Sequence, residues 1–212
     1  MEKTEHEVDT LKIAVKQKRK GINGKKKGNN FEHHISKVLS DKLAPMQFRR
    51  SQSSGAILGG KNEKFMEHFS NDAMALFIGD VVPTNETDVF RSDGWKMKFT
   101  LECKFYRSPD NLEHLIDGSR IISWYSKAKK DAGKLGKQPL LIFKFNHTQR
   151  FCALERPVDI TWYQLPGTIT KMITLHKYGA DPIELRVFSF EEAILDLEWW
   201  KVRDLVKADP TT

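Results

Sequence analysis

Leu101-Glu102-Cys103-Lys104-Phe105-Tyr106, taken together with Ile78-Gly79-Asp80-Val81-Val82, is the centre from which the rest of the chain can be placed. Both runs have the apolar content of buried strands, yet each carries charge where a core strand has none. Side chains two residues apart in a strand point to the same face about 7 Å apart, so Glu102 and Lys104 share one face while Leu101, Cys103 and Phe105 take the other. If the two runs pair, Asp80 lies beside Glu102. Burying two carboxylates and an ammonium among apolar neighbours is costly for every uncompensated charge, and a bound divalent cation with an anionic ligand would offset that cost.

Outward from these runs, a chain of 212 residues that is 39% hydrophobic is long enough for one well-cored domain with extensions. Lys+Arg 35 against Asp+Glu 28 leaves a net charge of +7, a surplus that favours a polyanionic partner. The two cysteines, Cys103 and Cys152, each fall inside an expected strand with no CxxC and no His-Cys zinc spacing, which implies a reducing, intracellular (cytoplasmic) setting. No apolar run approaches the roughly 18 residues that span a bilayer, and the acidic, Lys-rich start is not a signal peptide, so no membrane partner is expected.

Residues 1–28 turn from acidic to basic, with Lys18, Arg19, Lys20, Lys25, Lys26 and Lys27 among the cations. Gly21, Gly24, Gly28 and the Asn29-Asn30 pair argue against a continuous helix, and the segment reads as a flexible basic arm, suited to phosphate neutralisation or simply to solubility. Asn29 or Asn30 can cap a helix from Phe31 to about Leu43, because Phe31, Ile35, Val38, Leu39 and Leu43 recur at helical spacing and Pro45 stops it. Glu32 lies at the edge of that stripe, where a first-turn acid is also a favourable partner of the helix dipole. His33 and His34 point in different directions, as phosphate contacts or solvated residues.

Met46 to Arg50 reads as a short strand, followed by a small polar loop with Ser53, Ser54 and Gly55 and by an insertion near residues 58–77 that includes helical spacing. After the Asp80 strand, Ser92-Asp93-Gly94 supplies a hairpin turn into one strand from Trp95 to Phe105, which makes Asp80 and Glu102 neighbours on antiparallel strands. Asn111 to about Leu135 reads as a helix with a basic face that includes Lys127 and Lys130, interrupted at Gly118 or Gly133. Leu140 to Phe145 is too apolar for an edge strand, so helix plus strand suggest a βαβ crossover. Arg150–Leu154, Met172–His176 and Leu185–Phe188 read as further strands, and Phe190 to Val206 as a helix bearing Trp199 and Trp200.

This order resembles the PD-(D/E)XK nuclease superfamily, whose αβββαβ core carries acid-x-Lys on its third strand; the likeness covers about residues 29–146. The Glu of the first helix, the Ser-Gly loop ahead of the Asp and the small basic chain are most similar to the Holliday-junction resolvases. The resemblance implies a mixed α/β, restriction-endonuclease-like core over residues 29–156 and a C-terminal extension over residues 157–212 packed on it. It also implies Mg2+ (Mn2+ as substitute) held by Asp80, Glu102, the Cys103 carbonyl and Glu32, with Lys104 orienting the attacking water. A lysine ammonium ordinarily titrates near pH ~10.4, so Lys104 suits positioning and neutralising better than acting as a free base. Arg50, Ser53, Ser54, the arm cations, Lys127 and Lys130 become candidate DNA contacts. Two departures stand out: Gly79 replaces the motif's Pro, and about two dozen residues separate Ser54 from Asp80 where a compact resolvase has few. The implied activity is a Mg2+-dependent endonuclease on branched DNA, working as a homodimer because paired cuts call for two sites about a two-fold axis. Its rivals are a restriction-like or DNA-repair endonuclease on linear DNA, and a non-catalytic DNA-binding protein on the same fold. Trp124, Trp162, Trp199 and Trp200 look like an apolar surplus that either fills the core or feeds a dimer face.

Overall fold

The computed structural model of the chain describes residues 24–51, 71–85, 89, 95–106, 119–155, 169–175, 183–195 and 197–203. Helix α1 (Gly24–Lys42) buries Phe31, Ile35 and Leu39 of the stripe that the spacing predicts, with Ser36 beside them. It begins at Gly24 rather than behind an Asn29 or Asn30 cap, so Lys25, Lys26 and Lys27 belong to its first turns and not to a flexible arm. Tertiary contact overrides the poor propensity of Gly28, Asn29 and Asn30. Lys27 Nζ donates to Asn146 Oδ1 at 2.6 Å and stands 3.9 Å from the centroid of Phe105, while Asn29 Oδ1 accepts from Arg50 Nη2 at 3.1 Å. Lys18, Arg19, Lys20, Ser53, Ser54 and Trp162 lie outside the described residues, as does the Ser92-Asp93-Gly94 turn.

Seven strands form one sheet in the order β1 (Phe48–Arg50), β2 (Val81–Pro83), β4 (Phe99–Tyr106), β5 (Gln138–Phe145), β6 (Arg150–Glu155), β8 (Ile183–Ser189) and β7 (Ile169–Leu175). The helix α2 (Asn71–Ala75) precedes β2, and α3 (Ser119–Gly133) links β4 to β5. β1–β2 and β2–β4 are antiparallel, whereas β4 and β5 run parallel and in register from Phe99↔Gln138 to Tyr106↔Phe145. Parallel neighbours need a crossover, and α3 supplies it. The core is therefore αβββαβ, a mixed α/β fold.

Side-chain alternation sorts the sheet into two faces. Against α1 lie Leu101, Cys103, Leu140, Ile142 and Cys152; against α3 lie Leu141, Phe143, Phe145 and Ala153. β5 is covered on both sides, which explains its nearly unbroken apolar run.

Two expected elements are divided. The strand expected from Trp95 to Phe105 breaks at Lys98, whose N–H donates to Trp200 O at 2.8 Å and whose C=O accepts from Gln138 N–H at 3.1 Å. β3 (Trp95–Met97) turns away and pairs with β9 (Lys201–Arg203) in a second, two-stranded sheet. The helix expected over residues 190–206 becomes α4 (Phe190–Ala193) and α5 (Leu197–Trp200), because Trp200 Nε1 donates to Ala193 O at 2.8 Å and pins the turn between them. Trp200 is fully buried, Trp199 packs beside it on the same core, and Trp124 packs on the other. Trp200 thus fills the chain's own core, while Trp124 and Trp199 are partly buried against the two cores. Among the described residues, no helix is long and apolar enough to cross a membrane.

Candidate active site

The site forms where β2 meets β4. Val81 pairs with Leu101, and Asp80, one residue earlier, donates its N–H to Leu101 O at 2.7 Å. Antiparallel register therefore sets Asp80 across from Glu102, as the sequence leads one to expect. The approach depends on Gly79, whose φ is 101°. A Cβ there would stand 2.9 Å from Leu101 O. No L side chain fits that gap, which explains why glycine rather than proline precedes the aspartate. From the other side, Ser51 N–H donates to Asp80 O at 2.9 Å.

The Asp80 side chain is buried and satisfied locally. Its Oδ2 accepts from Cys103 N–H at 2.8 Å and from Lys104 Nζ at 3.3 Å. The same ammonium donates to Glu102 Oε1 and, at 3.2 Å, to Cys103 O. Three oxygens that the resemblance assigns to a metal, from Asp80, Glu102 and the Cys103 carbonyl, thus converge on one cationic centre, the Lys104 ammonium. That donor set of hard oxygens fits a divalent cation equally well. Among the described residues no three His, Cys, Asp or Glu side chains gather closely enough to hold a metal by themselves. A cation held there would take its further ligands from water and phosphate oxygens.

Charge and burial act against each other here. Burial, then the neighbouring Asp80 carboxylate, raises the Glu102 carboxyl above its usual range, with Lys104 and Lys127 pulling it back. Burial would lower the Lys104 ammonium, but Asp80 and Glu102, acting through charge and hydrogen bonds, lift it above the ordinary lysine value. Lys104 is therefore a fixed cation at neutral pH.

The other candidate residues are placed less centrally. Glu32 forms an ion pair with Arg50 Nε, and its charge reaches the site only as one contributor to the raised Cys103 thiol, for which burial is the main cause. Arg50 is held by Glu32 and Asn29 together. Lys25 and Lys26 are exposed at the start of α1, and Lys127 and Lys130 are exposed on α3. His34 Nε2 lies 2.7 Å from Arg150 Nη1, and Arg150 Nη2 in turn pairs with Glu191 at 2.6 Å, a staple between α1, β6 and α4. Burial, followed by Arg150, holds the His34 pKa below its usual value. Sequence reasoning missed Ser51 as the backbone support of Asp80 and the Cys103 amide as its donor. The signal for the second was available, since a residue facing the core on a strand must still place its N–H beside the neighbouring strand.

An αβββαβ core with Asp at the head of its second strand and Glu-x-Lys on its third defines a nuclease of the PD-(D/E)XK kind. The model of the family described as "Phage putative PDDEXK endonuclease" matches residues 23–201, and the chain belongs to that family. It is an endonuclease, a hydrolase of phosphodiester bonds with DNA as substrate. No curated protein and no solved structure matches the chain.

Proposed function

We propose that the chain is a Mg2+-dependent DNA endonuclease acting on branched DNA as a two-fold dimer, with Asp80, Glu102 and the Cys103 carbonyl holding the cation. The observation that carries this reading is the convergence of those three oxygens on the Lys104 ammonium. A divalent cation bound there would supply charge stabilisation at the scissile phosphate. Lys104, kept protonated by its neighbours, donates a hydrogen bond to the attacking water or to a phosphate oxygen rather than removing a proton. Without the cation Asp80 and Glu102 hold that ammonium, which would yield those oxygens when a cation binds, and α1 and α3 pack on the two faces of the sheet. Glu32 and Arg50 stand at the α1 side of the site, where Arg50 contacts a flanking phosphate. Branched substrate and dimeric assembly rest on the resolvase-like order of elements and on the symmetry of paired cuts.

The test uses a labelled four-way junction and a matched linear duplex, each with Mg2+ or EDTA. Paired nicks on the junction, in Mg2+ only, are expected. Cleavage in EDTA sinks the metal reading, and equal rates on both substrates leave a general endonuclease in place of a resolvase.

A further inference from the structure

Beyond Lys104 the same face of β4 carries one more side chain, Tyr106, which is 43% exposed. Opposite it runs a stripe of α3, Arg120, Trp124 and Lys127, spaced i, i+4, i+7. The Trp124 and Tyr106 ring centroids are 5.9 Å apart, and the Arg120 guanidinium carbon stands 4.1 Å from the Tyr106 centroid. The two elements thus lie alongside each other, with Lys127 at the Glu102 end and Arg120 at the Tyr106 end. At 1.5 Å of rise per residue the two cations are separated by about 10 Å along the helix, a span of roughly three nucleotides of one DNA strand. Arg120 Nη1 is buried with no hydrogen-bond partner among the described residues. An unmet buried donor is a standing cost, and a turn of the guanidinium outward onto a phosphate would relieve it.

We propose that Arg120 and Tyr106 form a strand-gripping subsite beside the scissile position, the guanidinium turning outward onto a neighbouring phosphate and the phenol ring packing against the adjoining sugar or base. This rests on the endonuclease reading above and adds a contact outside the carboxylate-lysine centre. Tyr106 lies about 7 Å past Lys104 along β4, so the strand held at Arg120 is carried across Lys104 before it reaches Lys127.

Binding of the full chain to fluorescent four-way junction and duplex is measured in EDTA over a salt series, alongside thermal melting. Arg120→Met is expected to weaken binding about tenfold and to make the slope of log K against log salt shallower by about one. Arg120→Lys should restore the slope while recovering only part of the affinity, because the charge returns without the fork. Tyr106→Leu should weaken binding several-fold with the slope unchanged, the signature of stacking rather than charge. The melting temperature of Arg120→Met should not fall, since the variant removes an unpaired buried donor and leaves the packing of its stem. Unchanged affinity and slope in Arg120→Met would overturn the proposal, and so would a lowered melting temperature with intact binding, which marks a structural arginine. Because these measurements need no metal, they separate from the catalytic reading. Arg120-dependent binding in a protein whose cleavage ignores Asp80→Asn would support the subsite and break the proposed centre.

Discussion

β4 and β5 lie side by side, parallel and paired residue for residue, yet one carries the charges of the proposed site and the other none of them. Glu102 pairs with Leu141 and Lys104 with Phe143, so on the α3 face each charge has a fully buried apolar neighbour in the next strand. On the α1 face the two strands are alike, Leu101 beside Leu140 and Cys103 beside Ile142. The difference is set by what lies on the far side. β5 is flanked by β4 throughout and by β6 from Leu141 to Lys144, whereas β4 meets β2 at Val81↔Leu101 and then runs on toward an exposed Tyr106. The strand that carries the proposed site is thus one whose rigid side is supplied by a neighbour and whose open side is left to side-chain hydrogen bonds.

The contrast breaks if charges on β4 prove structural, and the largest expected effect tests this. Asp80→Asn and Glu102→Gln should each lower cleavage by about 10³-fold, the equivalent of several kcal/mol of lost charge stabilisation, while DNA binding in EDTA stays within a few-fold. Near wild-type cleavage by either variant contradicts the assignment. Phe143→Ala on β5 should do the reverse: a loss of about 3–5 kcal/mol in denaturant unfolding, with the surviving folded fraction cleaving normally. A Phe143 variant that is stable but inactive would erase the division of labour.

Lys104→Met sharpens the comparison. It should abolish most cleavage yet tighten Mn2+ binding by roughly 10-fold, the size of a typical 1–3 kcal/mol coupling, because the ammonium and the cation compete for the same three oxygens. Titration calorimetry reads this directly, and weaker Mn2+ binding would show that lysine and metal do not share a site. Gly79→Ala should cost about 1–3 kcal/mol of stability through the 101° φ and the contact with Leu101 O. A neutral effect would mean that the backbone at Asp80 relaxes freely.

The smallest effect lies at the other end of β4. Burial lowers the Lys98 pKa to about 8. A folded pKa below the unfolded value means that the unfolded chain binds more protons between about pH 8 and pH 10, so wild-type stability rises with pH across that window. Lys98→Met should therefore melt slightly higher than wild type at pH 7, with the gap closing by about pH 10. A gap that stays constant would exclude Lys98 as its source.

Much of this was legible in the residues. The stripe of Phe31, Ile35 and Leu39, the apolar run of β5 and the alternation around Glu102-x-Lys104 give the helix, the central strand and the face on which the candidate residues meet, because each reflects a period that burial enforces. What was not legible depends on contacts far apart in sequence. The start of α1 is set by Asn146 and Phe105 acting on Lys27, the break at Lys98 by Trp200, and the pairing of Glu32 with Arg50 by the placement of β1 against α1. A spacing rule reads one element at a time, and these are agreements between elements. Glu32 illustrates the result, since its position on the helix was clear and its partner was not.

The chain has two cysteines, and both Cys103 and Cys152 are free and buried. Burial is the leading cause that pushes each thiol up, so neither presents a thiolate to an alkylating reagent while the fold is closed. Cys103 turns its thiol to the core while its amide holds Asp80; Cys152 lies on β6, beyond β5. Alkylation under native conditions therefore acts as a clock with two hands. The rate at Cys103 times the opening of the edge that carries the proposed site and the rate at Cys152 times the opening of the sheet's interior, without any engineered residue.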